Sequence, residues 1–131
     1  MNLLLDSHTL LWLMESNPKL SDTARRLLAD PMNELYLSIA SIWEIGIKSG
    51  LGKMGLSVPY TKFLDTAING YGLIVLPITM DDCVRYESMP FPNKQHHDPF
   101  DRMIIIHAQR EGLAIIGVDS SFDYYDITRI W

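Results

Sequence analysis

Cysteine is almost absent from this 131-residue chain, in which Cys83 is the only one. A single thiol forms neither an intramolecular disulfide nor a cysteine-rich zinc site. Long apolar runs are also lacking, and none approaches the ~18–20 residues that cross a bilayer. Positive charge is scarce, since 11 Lys and Arg stand against 16 Asp and Glu, for a formal net charge of −5. Any nucleic-acid partner would therefore need a local basic patch or bound cations, because bulk electrostatic binding requires the opposite sign.

Several familiar signatures are missing as well. The first five residues have no basic region and lead directly into Asp6, which argues against a signal peptide. No repeat, low-complexity tract or Gly/Ser linker interrupts the chain, so residues 1–131 are expected to form a single domain. A Walker loop, a glycine-rich dinucleotide fingerprint and a Gly-x-Ser-x-Gly elbow are all absent. These absences favour one cytoplasmic domain without those nucleotide-binding or serine-hydrolase chemistries.

Short apolar runs alternate with helix-like segments. Residues 3–5, 35–39, 73–76 and 114–118 are mostly apolar, which is typical of strands buried on both faces, and residues 127–131 could add an edge strand. Strands that alternate with helices predict right-handed crossovers and a mostly parallel sheet with helices on both faces. The predicted fold class is therefore α/β, a three-layer α/β/α sandwich with four or five strands.

Helical spacing of apolar residues marks the segments between the predicted strands. One apolar stripe, within residues 20–28, indicates a helix with Ser21 as its cap, and a second stripe, within residues 63–68, indicates a helix that ends at Gly70. A third is expected to start around Ser41 and to stop at Gly50, where a left-handed conformation costs least.

The fourth helix has the clearest bounds. Asp98 is its N-cap, Pro99 occupies the first helical position and Gly112 lies just past its end. Its middle, residues 103–108, is apolar almost all round and should be deeply buried.

The predicted architecture places the acidic residues together, because the carboxyl ends of parallel strands share one edge of the sheet, where ligands bind. Asp6 and Asp119 each follow a predicted strand, whereas the others begin helices at the same edge. The full set is Asp6, Glu44, Asp98, Asp101 and Asp119. Clustered carboxylates repel one another, and a divalent cation offsets that repulsion. Oxygen ligands favour Mg²⁺ or Mn²⁺, which suits phosphodiester hydrolysis.

Each carboxylate also has a structural interpretation. Asp98 could be a plain N-cap, and Asp101 could simply complement the helix dipole. Glu44 could complete a capping box that begins at Ser41, and Asp119 could form an Asx turn. Asp6 is the hardest to explain in this way, because a carboxylate that ends a buried strand is costly without a partner.

Three stretches of the sequence resemble PIN-domain nucleases. They are residues 3–12 (LLLDSHTLLW), 38–48 (SIASIWEIGIK) and 96–104 (HHDPFDRMI). The last looks like the HxDPFDR signature of a bacterial branch that is identified with VapC-type toxins of toxin–antitoxin pairs. The similarity covers essentially the whole chain, as far as Val118, Asp119 and the aromatic tail.

The resemblance implies a ribonuclease with a Mg²⁺- or Mn²⁺-dependent acidic site. Asp6, Glu44 and Asp101 match the three core carboxylates of the family and Asp119 matches the fourth, while Asp98 belongs to the branch signature. Asp6 and Asp101 are expected to bind the metal directly, with Asp98 ranked below Asp101 as a direct ligand, whereas Glu44 and Asp119 would complete the shell or hold the attacking water. One departure stands out: Gly117 occupies a position where members often carry Thr or Ser.

Three cations are candidates for contact with RNA: Lys48, Lys53 and Arg102. Lys48 could instead form a helix salt bridge with Glu44 four residues earlier. Lys53 could be a solvated loop charge, and Arg102 a surface ion pair. His96 and His97 could hydrogen-bond a phosphate or be incidental loop residues, and His8 could flank the metal or fill a helix start. The aromatic side chains of Trp12, Trp43 and Tyr36 are expected in the core or facing a partner.

The apolar excess on the helices, residues 10–14 included, favours a homodimer or a groove for an antitoxin segment, and the resemblance implies both. Two alternatives to a nuclease stay open. A catalytically silent RNA- or protein-binding module would keep the fold without the chemistry. A receiver-like phosphoryl switch would need an acidic pair near the first strand and a Lys after the last strand, and neither is present.

Overall fold

A parallel sheet forms the middle layer of the computed structural model, which describes residues 1–92 and 94–131. Its strands are β1 Asn2–Leu5, β2 Glu34–Ser38, β3 Ile74–Leu76, β4 Ala114–Ile116 and β5 Arg129–Ile130. Their order across the sheet is β3-β2-β1-β4-β5, and every neighbouring pair is parallel. The tail therefore adds the expected edge strand, although only two of its residues pair.

The helices lie between the strands in the chain. They are α1 Ser7–Met14, α2 Asp22–Ala29, α3 Ile39–Gly50, α4 Tyr60–Asp65, α5 Met80–Ser88 and α6 Pro99–Glu111. A π-helical segment, Thr66–Gly70, continues α4, and a 3₁₀ helix, Ser120–Tyr124, follows β4. None of the helices in the described part of the chain has the length and apolar character needed to span a bilayer.

Alternate side chains of β1 divide the core into two layers. Leu3 and Leu5 are fully buried against residues of α1 to α4, whereas Leu4 is fully buried against α6. This alternation follows from the two-residue period of a strand. The α/β/α sandwich predicted from the sequence is confirmed.

The ends of α6 are as predicted. The Asp98 carboxylate Oδ1 accepts hydrogen bonds from the N–H groups of Phe100 (2.8 Å) and Asp101 (3.2 Å), and Pro99 is the first helical residue. Gly112 closes the helix with φ of 65°, in the left-handed region that favours glycine.

The predicted bounds of α3 need correction. The helix begins at Ile39, and its cap is Ser38, whose hydroxyl accepts the Ala40 N–H at 3.0 Å. Ser41 is therefore an interior residue, and its buried hydroxyl shows no hydrogen-bond partner among the described residues. Glu44 consequently lies in the second turn. The helix also runs through Gly50, and the left-handed residue is Gly52, with φ of 70°.

Two further differences concern α5 and β4. The strand predicted over residues 114–118 ends at Ile116, so Asp119 follows it after two further residues. No helix was predicted over Met80–Ser88, because its outer face mixes charged and apolar residues. A capping box was the available signal: the Thr79 hydroxyl accepts the Asp82 N–H, and the Asp82 carboxylate accepts the Thr79 N–H.

Candidate active site

Asp6 is held at the carboxyl end of β1. Its backbone N–H donates to the Ile116 carbonyl at 3.2 Å, and its carboxylate Oδ1 accepts the Thr9 N–H at 2.8 Å, which caps α1. The side chain is almost completely buried. Burial raises the pKa of Asp6 and so does the charge of Asp119, although the Thr9 hydrogen bonds and His8 oppose this shift. A buried carboxylate with a raised pKa indicates a negative charge that the protein compensates only in part.

Gly117 borders the other oxygen of this carboxylate. A Cβ atom at position 117 would lie 2.8 Å from Asp6 Oδ2, closer than real Cβ contacts, and 3.1 Å from Asp6 Cγ, a tight contact. The Thr or Ser that family members often carry here would therefore displace Asp6. The departure noted in the sequence thus has a steric consequence at the site itself.

Glu44 reaches the same edge from α3. The Ser7 hydroxyl donates to Glu44 Oε1 at 2.7 Å, and the Lys48 ammonium donates to Oε2 at 2.9 Å. The expected helix salt bridge is therefore present. The hydrogen bond to Glu44 raises the pKa of Lys48, and the negative charges of Asp98 and Asp101 add to this shift. The ammonium of Lys48 thus interacts electrostatically with three carboxylates, one on α3 and two at the start of α6.

Asp101 lies in the first turn of α6. Its Oδ2 lies 3.1 Å from His96 Nε2. The pKa of Asp101 rises to about 7, first because the carboxyl is buried and second because Asp98 is negatively charged; Glu44 contributes in the same direction and His96 opposes it. Such a shift is typical of like charges brought together in a functional site.

A compact set of ligand atoms forms where α6 meets the 3₁₀ helix. One atom each from His96, Asp101 and Asp119 lie within 4.8 Å of one another, and no other such set of three or more occurs among the described residues. Asp119 is exposed and caps the 3₁₀ helix, since its Oδ1 accepts from the N–H (2.9 Å) and hydroxyl (2.8 Å) of Ser121. Asp6, Glu44 and Asp98 border this set without joining it.

The donor chemistry of this set fits a divalent cation. The carboxylates of Asp101 and Asp119 offer the oxygen ligands that Mg²⁺ and Mn²⁺ prefer, whereas both ring nitrogens of His96 are engaged by Asp101 and Tyr125. The raised pKa of Asp101 adds support, because a bound cation offsets the repulsion among the neighbouring carboxylates. The contact of His96 with Asp101 was not predicted; the only signal for it was the place of His96 in the motif, two residues before the Asp98 cap.

Arg102 requires a correction. It was a candidate for RNA contact with a surface ion pair as the alternative, yet its side chain is fully buried. The guanidinium lies 3.7 Å from the centre of the Phe91 ring and donates to the carbonyls of Met89 (2.8 Å) and Pro90 (3.1 Å). It is one residue from Asp101, but its side chain points away into the α5–α6 layer because position 102 lies on the inner face of α6.

The other candidates lie nearer the surface. Lys53 is exposed in the turn after α3, and His97 is exposed with its ring 4.9 Å from that of Phe91. His96 is buried instead, with Nδ1 3.0 Å from the Tyr125 hydroxyl. Trp43 is 60% exposed and contacts the Phe100 ring edge-on, beside the start of α6.

The comparisons place this fold in a known family. A family model described as PIN domain matches residues 3–127. The chain belongs to the PIN domain family. The general resemblance seen in the sequence is thereby confirmed, and membership of the HxDPFDR branch stays a prediction. No curated protein gives a significant match to the chain.

Solved structures of similar fold come from toxin–antitoxin systems. VapBC2 of Rickettsia felis, solved with a promoter DNA fragment, has a TM-score of 0.73 at 16% identity over 99% of this chain and 98% of that one. VapBC-1 of nontypeable Haemophilus influenzae has a TM-score of 0.68 at 22% identity over 99% and 97%. VapC20 of Mycobacterium tuberculosis, a toxin that cleaves the sarcin–ricin loop, has a TM-score of 0.70 at 14% identity over 98% of both chains. At these identities the similarity establishes the fold.

Proposed function

We propose that this PIN domain is a metal-dependent endoribonuclease and the toxin of a toxin–antitoxin pair, acting in the cytoplasm. The observation that carries the proposal is the convergence of Asp101, Asp119 and His96 within 4.8 Å, beside the buried carboxylates Asp6 and Glu44. Family membership and the fold shared with VapC toxins support it.

Mg²⁺ or Mn²⁺ is the proposed cofactor. Asp6, Asp101, Glu44 and Asp98 are the ligands proposed from the sequence, and the geometry adds Asp119 to the candidates, while His96 contacts Asp101 from the side. When bound, a divalent cation makes water more acidic and offsets negative charge on the phosphate. The protein supplies a rigid frame, in which Thr9 and Gly117 position Asp6 and in which Ser7 and Lys48 position Glu44.

Each catalytic carboxylate has a proposed role. Asp6 and Asp101 provide the negative charge that holds the cation. Glu44 and Asp119 orient the attacking water, because one oxygen of Glu44 is shared with Lys48 and Asp119 is open to solvent. In-line attack of that water on phosphorus then breaks a phosphodiester bond without a covalent enzyme intermediate.

RNA would enter this acidic site beside a small number of cations. Lys48 is the strongest candidate, because it is partly exposed and already lies within the field of Glu44, Asp98 and Asp101. Lys53 lies exposed in the following turn and could bind the next phosphates along the chain. Arg102 is withdrawn from this role because it is buried.

An antitoxin and a second copy of the chain are the proposed protein partners. Structures of the same fold include toxin–antitoxin complexes, VapBC2 and VapBC-1 among them. The chain itself exposes an apolar ridge along α3, formed at a spacing of four residues by Trp43, Ile47 and Leu51, the last of which directly follows the helix. Such a ridge suits a second helix, and a twofold axis would pair it with its own copy.

The direct test is Mn²⁺-dependent cleavage of a mixed RNA pool, with the cut sites mapped by sequencing of the new ends. We expect the parent chain to cut and Asp6→Asn to lose cleavage while keeping its circular dichroism spectrum. Asp22→Asn removes an exposed carboxylate on α2 and serves as the matched control, with parental activity expected. Equal cutting by Asp6→Asn and the parent would refute the assignment.

The catalytically silent module remains the second candidate, because the common Thr or Ser is replaced by Gly117. Thermal stability separates the two functions: a nuclease is stabilised by Mn²⁺ and loses this effect in Asp101→Asn, whereas a silent module is unaffected by the ion. A receiver-like switch has no support from the family comparison and lacks the acidic pair and lysine that it requires.

A further inference from the structure

A chain of hydrogen bonds connects the buried Arg102 guanidinium to the Asp101 carboxylate through two intermediate side chains. Arg102 Nη1 lies 3.3 Å from the Tyr125 hydroxyl, this hydroxyl lies 3.0 Å from His96 Nδ1, and His96 Nε2 lies 3.1 Å from Asp101 Oδ2. Asp101 and Arg102 are adjacent in sequence, yet among the described residues their side chains are joined by this detour through the loop before α6 and the segment after the 3₁₀ helix.

The direction of each hydrogen bond follows from its donors. A guanidinium has no acceptor, so the Tyr125 oxygen accepts from Arg102. The proton of the Tyr125 hydroxyl then needs an acceptor, and His96 Nδ1 is the one that the structure places within reach. A neutral imidazole that accepts at Nδ1 has its proton on Nε2, and that N–H points at Asp101 Oδ2. The opposite tautomer would leave the buried Tyr125 hydroxyl proton without a partner, which is costly.

Arg102 is the firmly held first member of this series of hydrogen bonds. Its side chain is fully buried, its Nη1 and Nη2 atoms donate to the carbonyls of Pro90 and Met89, and the rings of Phe91 and Tyr86 lie 3.7 Å and 5.0 Å from the guanidinium. None of the partners shown for Arg102 in residues 1–92 and 94–131 is a carboxylate. The guanidinium is therefore available to polarise the Tyr125 hydroxyl, which lies between Arg102 and His96 in this series of hydrogen bonds.

We propose that Arg102, Tyr125 and His96 are positioning residues that orient Asp101 for the metal-dependent reaction. By engaging Oδ2 with the Nε2–H tautomer of His96, they hold the carboxylate plane and leave its second oxygen for the proposed cation. Arg102 thereby acts on the site from within the α5–α6 layer rather than through contact with RNA. The predicted effect on activity rests on the proposed function. The tautomer of His96 does not, because it can be measured in the protein without RNA or metal.

Nuclear magnetic resonance of the full chain labelled with ¹⁵N-histidine tests the relay directly. At a pH where His96 is neutral, long-range ¹H–¹⁵N correlations are expected to show His96 with its proton on Nε2, and the signal is assigned by its loss in His96→Gln. Tyr125→Phe removes the donor to Nδ1 with almost no change of volume and is expected to shift the His96 Nδ1 resonance, because that lone pair loses its hydrogen bond while Asp101 still accepts from Nε2–H. Tyr36→Phe removes a hydroxyl bonded to Glu34 and is the matched control, with no change expected. Protonation of His96 at Nδ1 in the parent chain would overturn the relay, and so would an unaltered Nδ1 resonance in Tyr125→Phe.

Kinetics then test whether the relay serves the reaction. We expect Tyr125→Phe to lower kcat about tenfold with little change in KM for RNA. His96→Gln keeps an N–H donor toward Asp101 and is expected to recover most of the activity that His96→Leu loses. Equal loss in both variants would show that the donor does not position Asp101. If the parent chain cleaves no RNA, the proposed function fails on that result alone, while the tautomer measurement still decides whether the relay exists.

Discussion

The ionisation of Asp101 governs how the site responds to pH. Its pKa of about 7 arises from burial and from the charges of Asp98 and Glu44, opposed by His96, and the Lys48 ammonium also lies in this field. A cation binds the ionised carboxylate, so it must displace a proton below that pKa. We expect the affinity for Mn²⁺ to rise with pH up to about 7, by up to about tenfold per pH unit, and then to level off. Isothermal titration calorimetry at several pH values measures this, and the same affinity at pH 6 and pH 8, roughly the limits of that range, would contradict it.

The raised pKa of Asp101 also predicts how the stability of the metal-free chain depends on pH. A carboxyl whose folded pKa is raised stabilises the fold while it is protonated, and this contribution is lost as pH rises through about 7. The free energy of unfolding should therefore decline between the ordinary carboxyl pKa and neutral pH. Asp101→Asn cannot ionise, so it should flatten this part of the profile. Urea unfolding at a series of pH values provides the measurement, and parallel profiles for the two proteins would disprove the attribution to Asp101.

Gly117 is tested by adding a single methyl group. Gly117→Ala places a Cβ atom 2.8 Å from Asp6 Oδ2, so the carboxylate must move away from a position held by Thr9. We expect cleavage to fall by about tenfold or more, because small displacements of a catalytic group are costly. Gly55→Ala is the matched control, since nothing lies within 4 Å of its added Cβ. Full activity in Gly117→Ala would mean that Asp6 tolerates the shift.

At the scale of the elements, α5 and α6 are joined by a buried polar pair away from the proposed active site. His107 Nε2 lies 3.1 Å from Asp82 Oδ2, both side chains are fully buried, and Arg110 approaches Asp82 Oδ1 at 3.2 Å. Burial lowers the pKa of His107, although Asp82 opposes the shift. Burial alone would raise the pKa of Asp82, but the Thr79 N–H, His107 and Arg110 together lower it. The pair therefore consists of a neutral imidazole and a carboxylate.

Removing this carboxylate should destabilise the packing of α5 on α6. Asp82→Asn weakens the hydrogen bond with His107 and the contact with Arg110, and we expect a loss of about 1–3 kcal/mol in the free energy of unfolding. Urea unfolding measures the loss. Asp81→Asn, one residue away and exposed in a surface ion pair with Arg85, is the control and should change stability far less. Similar losses in both variants would assign the effect to α5 as a whole rather than to the buried pair.

The pH dependence of this pair has the opposite sign to that of Asp101. The pKa of His107 is lower in the folded chain than in the unfolded chain. As pH drops through the ordinary histidine pKa of 6.5, the unfolded chain therefore binds more protons than the folded chain, and the free energy of unfolding falls. His107→Gln should reduce this loss on the acid side of neutrality. Unfolding measured between about pH 7 and pH 5 separates the two groups, since Asp101 changes stability in the other direction over that interval.

The helix ends show what a local sequence pattern can and cannot predict. Both ends of α6 were predicted because Asp98, Pro99 and Gly112 are unambiguous. The start of α3 was misplaced because Ser38 and Ser41 are both good caps, and the choice depends on where β2 ends. That end is determined by pairing with the neighbouring strand, in which Ser38 is opposite Leu76. A local signal cannot decide between two serines when a partner distant in sequence makes the choice.

At the scale of the whole molecule, the exposed ridge on α3 predicts self-association. Ile47 is the central residue of the ridge between Trp43 and Leu51, so Ile47→Asp places a charge in the middle of the proposed interface. We expect the parent chain to be a dimer and Ile47→Asp to be a monomer with the same circular dichroism spectrum, as measured by light scattering after size exclusion. Met32→Asp, at a more exposed apolar residue before β2, is the control and should leave the dimer intact. A dimer that survives Ile47→Asp would place the interface elsewhere.

The architecture and the edge at which the carboxylates meet were determined by the sequence itself. Strand and helix periodicities are local, and the carboxyl ends of parallel strands share one edge, so Asp6, Glu44, Asp98, Asp101 and Asp119 could be assigned to it from their positions alone. Only the tertiary structure decided that Arg102 is buried, that His96 holds Asp101 and that Gly117 makes room for Asp6. Each of these contacts depends on the direction of a side chain or on residues far apart in the chain, such as 6 and 117, and packing settles both only when the layers come together.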